Sequence, residues 1–464
     1  MKNHKYNWNY LVSICLISAM GGLLFGYDFV VIGGAKPFYE PFFGITGHAF
    51  LQGWAMGCAL AGCLAGSVIS GWFSDKLGRK KLLIFSAGLF VAASFGTGSA
   101  GSFNIFVIFR ILGGVGIGLA SNLSPMYIAE ITPAEVRGRF VSLNQLTIVI
   151  GILAAQLINW RIARPVPPGS AVNDIAASWN GQTGWRWMFY ACSVPACLFF
   201  ILMWFVPESP RWLARNMDNQ AKAKKILAKI GGNEYSISEF TSIEKTINEN
   251  KETPDLRILR QPGISKMLVL GIVLAVFQQW CGINVIFNYA QEIFSNAGYS
   301  VSDILFNIVI TGCVNLIFTF VGMFTVDKLG RKALMLVGAG GLAGIYAVLG
   351  TMYFFHIQGL PLLIMVVAVI ACYSMSLAPV TWVILSEIFP NRFRGTGMSI
   401  ATFSLWAACF VLTYTFPILN QLLKASGTFW LYGIICLLGF LFILKKLPET
   451  KGKSLEQIEH EFTN

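Results

Sequence analysis

Over nearly its whole length the chain alternates between apolar runs of about twenty residues and short polar connections. A helix crossing the hydrocarbon of a bilayer needs ~20 predominantly apolar residues, and inside that layer the backbone must satisfy its own hydrogen bonds. Runs of this length at 11–33, 51–73, 82–101, 103–124, 141–160 and 186–206, then at 267–290, 303–325, 334–355, 359–385, 396–420 and 427–446, predict twelve membrane-spanning helices. Charged residues make up 12% of the chain, against roughly a quarter in water-soluble domains, so a soluble enzyme is excluded.

The formal net charge of +12 raises nucleic acid as a partner. Such binding needs Lys and Arg clustered beside stacking aromatics, whereas here the basic residues sit in the short connections. With the N-terminus in the cytoplasm, the inside collects 28 of the 34 Lys and Arg residues, and the outside collects Lys36, Arg161, Arg164, Arg186 and Lys424. The remaining one, Arg110, falls inside the fourth run. That asymmetry is the one that fixes membrane topology, and it predicts an inner-membrane protein with both termini and the central linker cytoplasmic. The ten cysteines include no CxxC pair and the histidines number four, so no disulfide framework, metal site or cofactor is expected. The polar N-terminus lacks a cleavable signal pattern, so the first run is expected to remain as a spanning helix.

The two sets of six runs carry matching connections. Asp75-Lys76-Leu77-Gly78-Arg79-Lys80 follows the second run and Asp327-Lys328-Leu329-Gly330-Arg331-Lys332 the eighth. Ala129-Glu130 with Arg137-Gly138 follows the fourth, and Ser386-Glu387 with Arg394-Gly395 the tenth. Pro207-Glu208-Ser209-Pro210-Arg211 follows the sixth, and Pro448-Glu449-Thr450 the twelfth. A duplicated body is expected: a six-helix lobe at 1–206, a cytoplasmic linker of amphipathic helices at 207–266, a second six-helix lobe at 267–447 and a cytoplasmic tail at 448–464.

These connections, with GGLLFGYD in run 1, PESPRWL after run 6, QQWCGIN in run 7, SEIFP and RFRG around the end of run 10 and PETKG after run 12, resemble the sugar porter branch of the major facilitator superfamily. The resemblance extends over about residues 11 to 455. Its nearest members are bacterial proton-coupled pentose and hexose symporters, with animal glucose facilitators more distant. It implies an all-α membrane protein whose two lobes rock around a central site and expose it to each side in turn. Monosaccharide, protons and the lipid bilayer are then the expected partners, and a monomer the expected state. No nucleophile, metal cluster or phosphate-binding loop suggests an enzyme.

Asp28 and Arg110 are the carboxylate and the cation most deeply embedded in apolar sequence. A charge there costs ~2.5–3.5 kcal/mol on insertion scales, so it requires a partner or a task. If run 1 leaves the membrane near Lys36 and run 4 enters near Ser102, each charge lies eight residues inside, at ~1.5 Å per residue an equal depth that allows pairing. Burial raises a carboxyl pKa while a neighbouring Arg lowers it, so approach to or separation from Arg110 would switch Asp28 between holding and releasing a proton. The resemblance adds that proton-coupled sugar porters have Asp and Arg at these places, whereas facilitators generally lack the Asp. The alternative is a static ion pair that positions two helices. Sodium coupling is less favoured, because no second carboxylate is evident around run 1.

A monosaccharide both donates and accepts through its hydroxyls, so its site calls for neutral amides and an aromatic face. Gln278, Gln279 and Asn284 in run 7 are such a cluster, with Gly282 allowing local unwinding. Gln145, Asn315, Trp382 and Trp406 complete a ring. By resemblance, all seven match positions lining the sugar site of the family, with Phe25 and Tyr289 closing it from outside. The alternative for an isolated amide is hydrogen bonding between helices without a ligand, and Asn144, Asn288 and Gln156 are read as packing residues. Two positions depart from the bacterial xylose symporters: where those carry glutamines in runs 5 and 11, this chain has Ile152 and Leu405. A sugar hydroxyl facing an apolar side chain goes unpaired at ~1–3 kcal/mol, so these two are expected to tune specificity.

At the cytoplasmic face stand Asp75, Arg79, Glu130, Arg137, Arg139 and Glu208 in the first half, and Asp327, Arg331, Glu387, Arg392 and Arg394 in the second. By resemblance they gate the inside through pairs between lobes that exist only when it is closed, biasing the two open states. The alternative is topology marking on a solvated surface, where ion pairs are worth under ~1 kcal/mol. The expectation is a proton-coupled monosaccharide importer. Its rivals are a uniporter in which Asp28 is structural and a sugar sensor that signals through residues 207–266.

Overall fold

The computed structural model of the chain describes residues 6–133, 135–167, 170–215, 217–249, 262–296, 298–389 and 394–449. Within them the regular structure is helical. The first lobe consists of α1 (Trp8–Phe43), α2 (Ala49–Leu77), α3 (Arg79–Ser99), α4 (Phe103–Ile131), α5 (Arg137–Ile162), the short outer helix α6 (Val172–Ala177), and a π-helical turn at Asn180–Gly184 that runs into α7 (Trp185–Met203). Next come the linker helices α8 (Pro210–Ala214) and α9 (Gln220–Glu249). The second lobe holds α10 (Pro262–Trp280), α11 (Ile283–Asn288), α12 (Ala290–Asn296), α13 (Val301–Leu329), α14 (Arg331–Phe354), α15 (Leu360–Met375), α16 (Leu377–Ile388) and α17 (Arg394–Lys446).

Eleven helical segments are long and apolar enough to cross a membrane, and the last of them, Thr396–Lys446, holds two of the twelve expected spans. Those two are joined end to end because Lys424 turns the chain through φ 57° without a loop. Spans 7 and 10 are each broken. Gly282 at φ 87° separates α10 from α11, and Ser376 at φ −124°, ψ −84° separates α15 from α16. Discontinuities at membrane depth free backbone groups, which is tolerable where they line a protein cavity.

Packing within the first lobe relies on backbones meeting without side chains between them. A Cβ added at Gly62 or Gly66 of α2 would lie 2.2 or 2.3 Å from the carbonyl oxygens of Ile111 and Val115 on α4, and one at Gly114 would lie 1.9 Å from that of Ala59. Small residues spaced by four allow this approach where lipid supplies no hydrophobic drive between helices. The DKLGRK turns of the two lobes share one geometry, with φ 89° at Gly78 and 90° at Gly330.

Two expectations shift. Helix α1 does not end near residue 33 but continues to Phe43, where Gly44 caps it at φ 66°. Lys36 is therefore no exit marker: it is buried inside the helix, with Glu40 one turn on. The linker's second helix carries an apolar face, including Leu227, Ile230 and Phe240, that is buried. Tyr6 meets Tyr235 edge to face at 5.5 Å, and Asn7 N donates to Ile230 O at 2.8 Å. Residues 250–261 of the expected linker and 450–464 of the expected tail lie outside the described residues.

Candidate substrate and proton site

Helices α1 and α4 bring Asp28 and Arg110 together. Arg110 Nη1 lies 2.8 Å from both carboxylate oxygens, and Nη2 reaches the Asp28 carbonyl at 3.5 Å. Both residues are buried. A Cβ on Gly113, one turn after Arg110, would lie 3.1 Å from the Ala93 Cβ of α3, so the glycine lets α4 approach α3 beside the pair. The Arg110 guanidinium sits 5.7 Å from the centre of the Phe189 ring. Both carboxylate oxygens thus accept from one guanidinium nitrogen. The pairing expected from equal depth is present, although the Lys36 marker used for that depth does not hold.

The amides of span 7 form a continuous row. Gln278 Nε2 donates to Tyr373 Oη at 2.8 Å, Gln279 Nε2 donates to Gln278 Oε1 at 2.6 Å, and Asn284 Nδ2 contacts Gln279 Oε1 and, at 3.2 Å, Cys409 Sγ. The break at Gly282 makes the row possible, because it lets Asn284 at the start of α11 turn back toward α10. Tyr373 escaped the sequence reading. Its only signal was a hydroxyl-bearing ring in the apolar run IACYSMS, and a tyrosine there is as easily a packing residue.

The other expected residues distribute differently. Phe25 of α1 meets Trp406 of α17 at a ring distance of 5.5 Å, which joins the lobes near the middle of the membrane. Trp382, on α16 just past the break, is 36% exposed. Gln145, half-buried on α5, makes no hydrogen bond to another described residue. Asn315 accepts from Ser374 Oγ at 2.6 Å within its own lobe, the interhelical role that was its alternative. Tyr289 is fully buried, donates to Thr413 O at 2.7 Å and packs at 4.5 Å on Phe416. Ile152 and Leu405 are both buried. Of the three amides read as packing residues, Gln156 of α5 lies with its Oε1 against Gly312 of α13 in the other lobe, and neither its Oε1 nor its Nε2 has a hydrogen-bond partner among the described residues.

Contacts between the lobes concentrate on the outer side of Phe25 and Trp406. A Cβ on Gly53 of α2 would fall 2.3 Å from the Tyr414 carbonyl oxygen on α17. Trp54 meets Phe410 and Tyr414 at 6.4 and 6.5 Å, Trp160 of α5 meets Phe306 of α13 at 5.8 Å, and Val166 N donates to Ser302 Oγ at 3.1 Å. At the cytoplasmic face the ion pairs described stay inside one lobe. Arg79 bridges Asp75 at 3.0 Å and Glu130 at 2.9 Å, and Arg215 also reaches Asp75 at 2.8 Å. Arg331 pairs with Glu387 at 3.0 Å. The duplication is repeated atom for atom at the helix starts: Glu208 accepts from Arg79 N and Lys80 N at 3.0 and 3.1 Å, and Glu449 accepts from Arg331 N and Lys332 N at 2.9 and 3.0 Å. Burial raises the Glu208 pKa, and the amides of Ser209, Lys80 and Arg79 hold it back. Arg137 lies near Arg211 and Glu239 of the linker. Arg139 is exposed and forms no ion pair among the described residues. Arg392 and the side chains of Asp327 and Arg394 lie outside the described residues. Among the described residues, then, the lobes pack together on the side of Gly53 and Trp160, and the ion pairs at the opposite face lie within one lobe.

Residues 14–462 match the family described as "Sugar (and other) transporter". The D-xylose-proton symporter of Escherichia coli (strain K12) is 38% identical, with 98% of this chain and 96% of the relative covered. The arabinose-proton symporter of Bacillus subtilis (strain 168) is 36% identical, again over 98% of this chain and 96% of the relative. Among solved structures, the xylose transporter of E. coli in a partially occluded inward-open conformation superposes with a TM-score of 0.84 at 36% identity, covering 96% of this chain and 100% of that one.

Proposed function

Because the chain belongs to the family of sugar and other transporters, we propose that it carries a monosaccharide, pentose or hexose, across the cytoplasmic membrane together with a proton, by alternating access. Both termini are cytoplasmic in this reading, which the 28 inside-facing Lys and Arg residues of 34 support. The single observation that carries proton coupling is the buried Asp28–Arg110 pair. It sits one turn from Phe25, one of the residues through which α1 touches the second lobe.

The chemistry follows from the pair. A protonated Asp28 accepts less well from Arg110 and carries no charge to bury, so α1 is freed from α4 while the outside is open. Sugar hydroxyls then exchange into the row of Tyr373, Gln278, Gln279 and Asn284, and the lobes close over the outside. Once the site faces the cytoplasm, Arg110 stabilises the ionised carboxylate, the proton leaves, and the arrangement reached is the one described above. Gln145, Trp382 and Trp406 complete the sugar site, and Ile152 and Leu405 narrow which hydroxyls are satisfied. Charged residues of the cytoplasmic face trade partners within lobes for partners between lobes when the inside closes.

Purified protein in vesicles with an imposed gradient, alkaline inside, is expected to accumulate labelled sugar above its outside concentration and to lose that accumulation on addition of a protonophore. Competition by unlabelled xylose, arabinose, glucose and galactose ranks the substrates. Equilibration without accumulation would make the protein a uniporter, and absence of transport would leave the sensor reading.

A further inference from the structure

Helix α1 carries a second set of charges, about two turns outward of Asp28, that the proton and sugar sites do not use. Lys36 is 1% exposed. Its Nζ lies 3.0 Å from Glu40 Oε1 on the same helix and contacts Glu292 Oε1 on α12 of the other lobe. Gln52 of α2 donates its Nε2 to Glu40 Oε2 at 2.8 Å, which fixes that carboxylate within the first lobe. The Lys36 ammonium also stands 5.4 Å from the centre of the Tyr289 ring. Backbone approach secures the junction: a Cβ at Gly33, one turn before Lys36, would be 3.1 Å from the carbonyl oxygens of both Phe287 and Asn288 on α11.

The two carboxylates differ in what happens to them when the lobes part. Lys36–Glu40 is a contact within one helix and survives any rigid-body motion of the lobes. Lys36–Glu292 spans the lobes and breaks once the outside opens. We propose that Lys36 and Glu292 form the outer lock of this carrier and that Glu40 is the holding partner which keeps Lys36 paired while the lock is open. Stranding a buried charge is costly, so a lysine with one partner only would make opening prohibitive. With Glu40 and Gln52 in place, opening exchanges two partners for one and the lock stays reversible. The inference rests on alternating access, but its test needs no transport, so its failure and the failure of the proposed function can be told apart.

The asymmetry gives opposite signs for two substitutions on the same lysine. Glu292→Gln removes the contact between lobes and is expected to shift the population toward the outward-facing state. Glu40→Gln removes the holding partner and should shift it toward the outside-closed state. Hydrogen–deuterium exchange of the detergent-purified protein reads both. In Glu292→Gln, peptides from the outer ends of α1, α2 and α12 should exchange faster and those from the cytoplasmic ends of α4 and α16 slower, and Glu40→Gln should do the reverse. A coupling of ordinary size corresponds to a change in the state ratio of about 5- to 150-fold. If Glu292→Gln fails to fold, Glu292→Asp keeps the charge but withdraws it by a methylene, and it should move exchange in the same direction with smaller amplitude. Shifts of the same sign from both positions, or no shift from either, would overturn the lock.

Discussion

Replacing Asp28 with Asn keeps the side chain's shape and removes both the exchangeable proton and the charge that Arg110 faces. Two unit charges 2.8 Å apart attract by ~6 kcal/mol at an effective dielectric near 20. Taking both out of water offsets much of this, and loss of one partner from such a pair costs ~3–5 kcal/mol because the other is left buried and unpaired. Asp28→Asn and Arg110→Met should therefore each lower the denaturation midpoint in detergent. The double variant should recover most of the loss, since a buried pair replaced whole is often neutral. Function separates from stability in vesicles. Both Asp28→Asn and the double variant should exchange labelled sugar for unlabelled sugar at equal concentrations without accumulating it under a pH gradient. Asp28→Asn that still accumulates sugar at the parental level would refute the coupling role, and a double variant less stable than either single one would refute the energetics.

Truncating Gln278 to Ala strands Tyr373 Oη and Gln279 Nε2 as well as the sugar, so equilibrium binding should weaken by ~1–3 kcal/mol; Gln145→Ala, which breaks no hydrogen bond in the empty site, should lose affinity without loss of stability, and parental affinity in both folded variants would misplace the site. Gln at positions 152 and 405 together is predicted to raise xylose affinity by ~0.5–1.5 kcal/mol per hydrogen bond gained, measured by calorimetry, and binding that is already tight in the parent and unchanged or weaker in the folded double variant would show that these positions do not set the preference. Gly53→Val places a Cβ 2.3 Å from the Tyr414 carbonyl oxygen and is expected to hold the outside open, abolishing vesicle uptake while binding persists. Full uptake by that variant would mean the outer half need not close there.

Twelve spans and the duplication were legible because hydrocarbon imposes length and composition on every crossing and because the DKLGR turns repeat in sequence. Residues of the candidate site could be picked out wherever a polar side chain stood out against an apolar run, as Asp28, Arg110, Gln278 and Gln279 do. Pattern failed where the informative fact was a partner remote in sequence. Lys36 looks like a topology marker until Glu292 is brought to it from 256 residues away. Tyr373 looks like packing until its hydroxyl is found on Gln278. Likewise the end of α1 was misplaced because Lys36, Pro37 and Glu40 resemble a loop in composition, whereas paired charges and cross-lobe packing let the helix continue past two prolines.

The amide row has a kinetic consequence. Tyr373, Gln278, Gln279 and Asn284 satisfy one another, so an arriving sugar gains only the difference between its own hydrogen bonds and those it displaces. A departing sugar, conversely, leaves behind groups that re-pair at once rather than groups left bare. Differences among related complexes reside mostly in the dissociation rate, and a self-healing site shortens residence time. The carrier is thereby biased toward throughput: it discharges quickly into a cytoplasm where the sugar has accumulated, and works best where the sugar outside is plentiful.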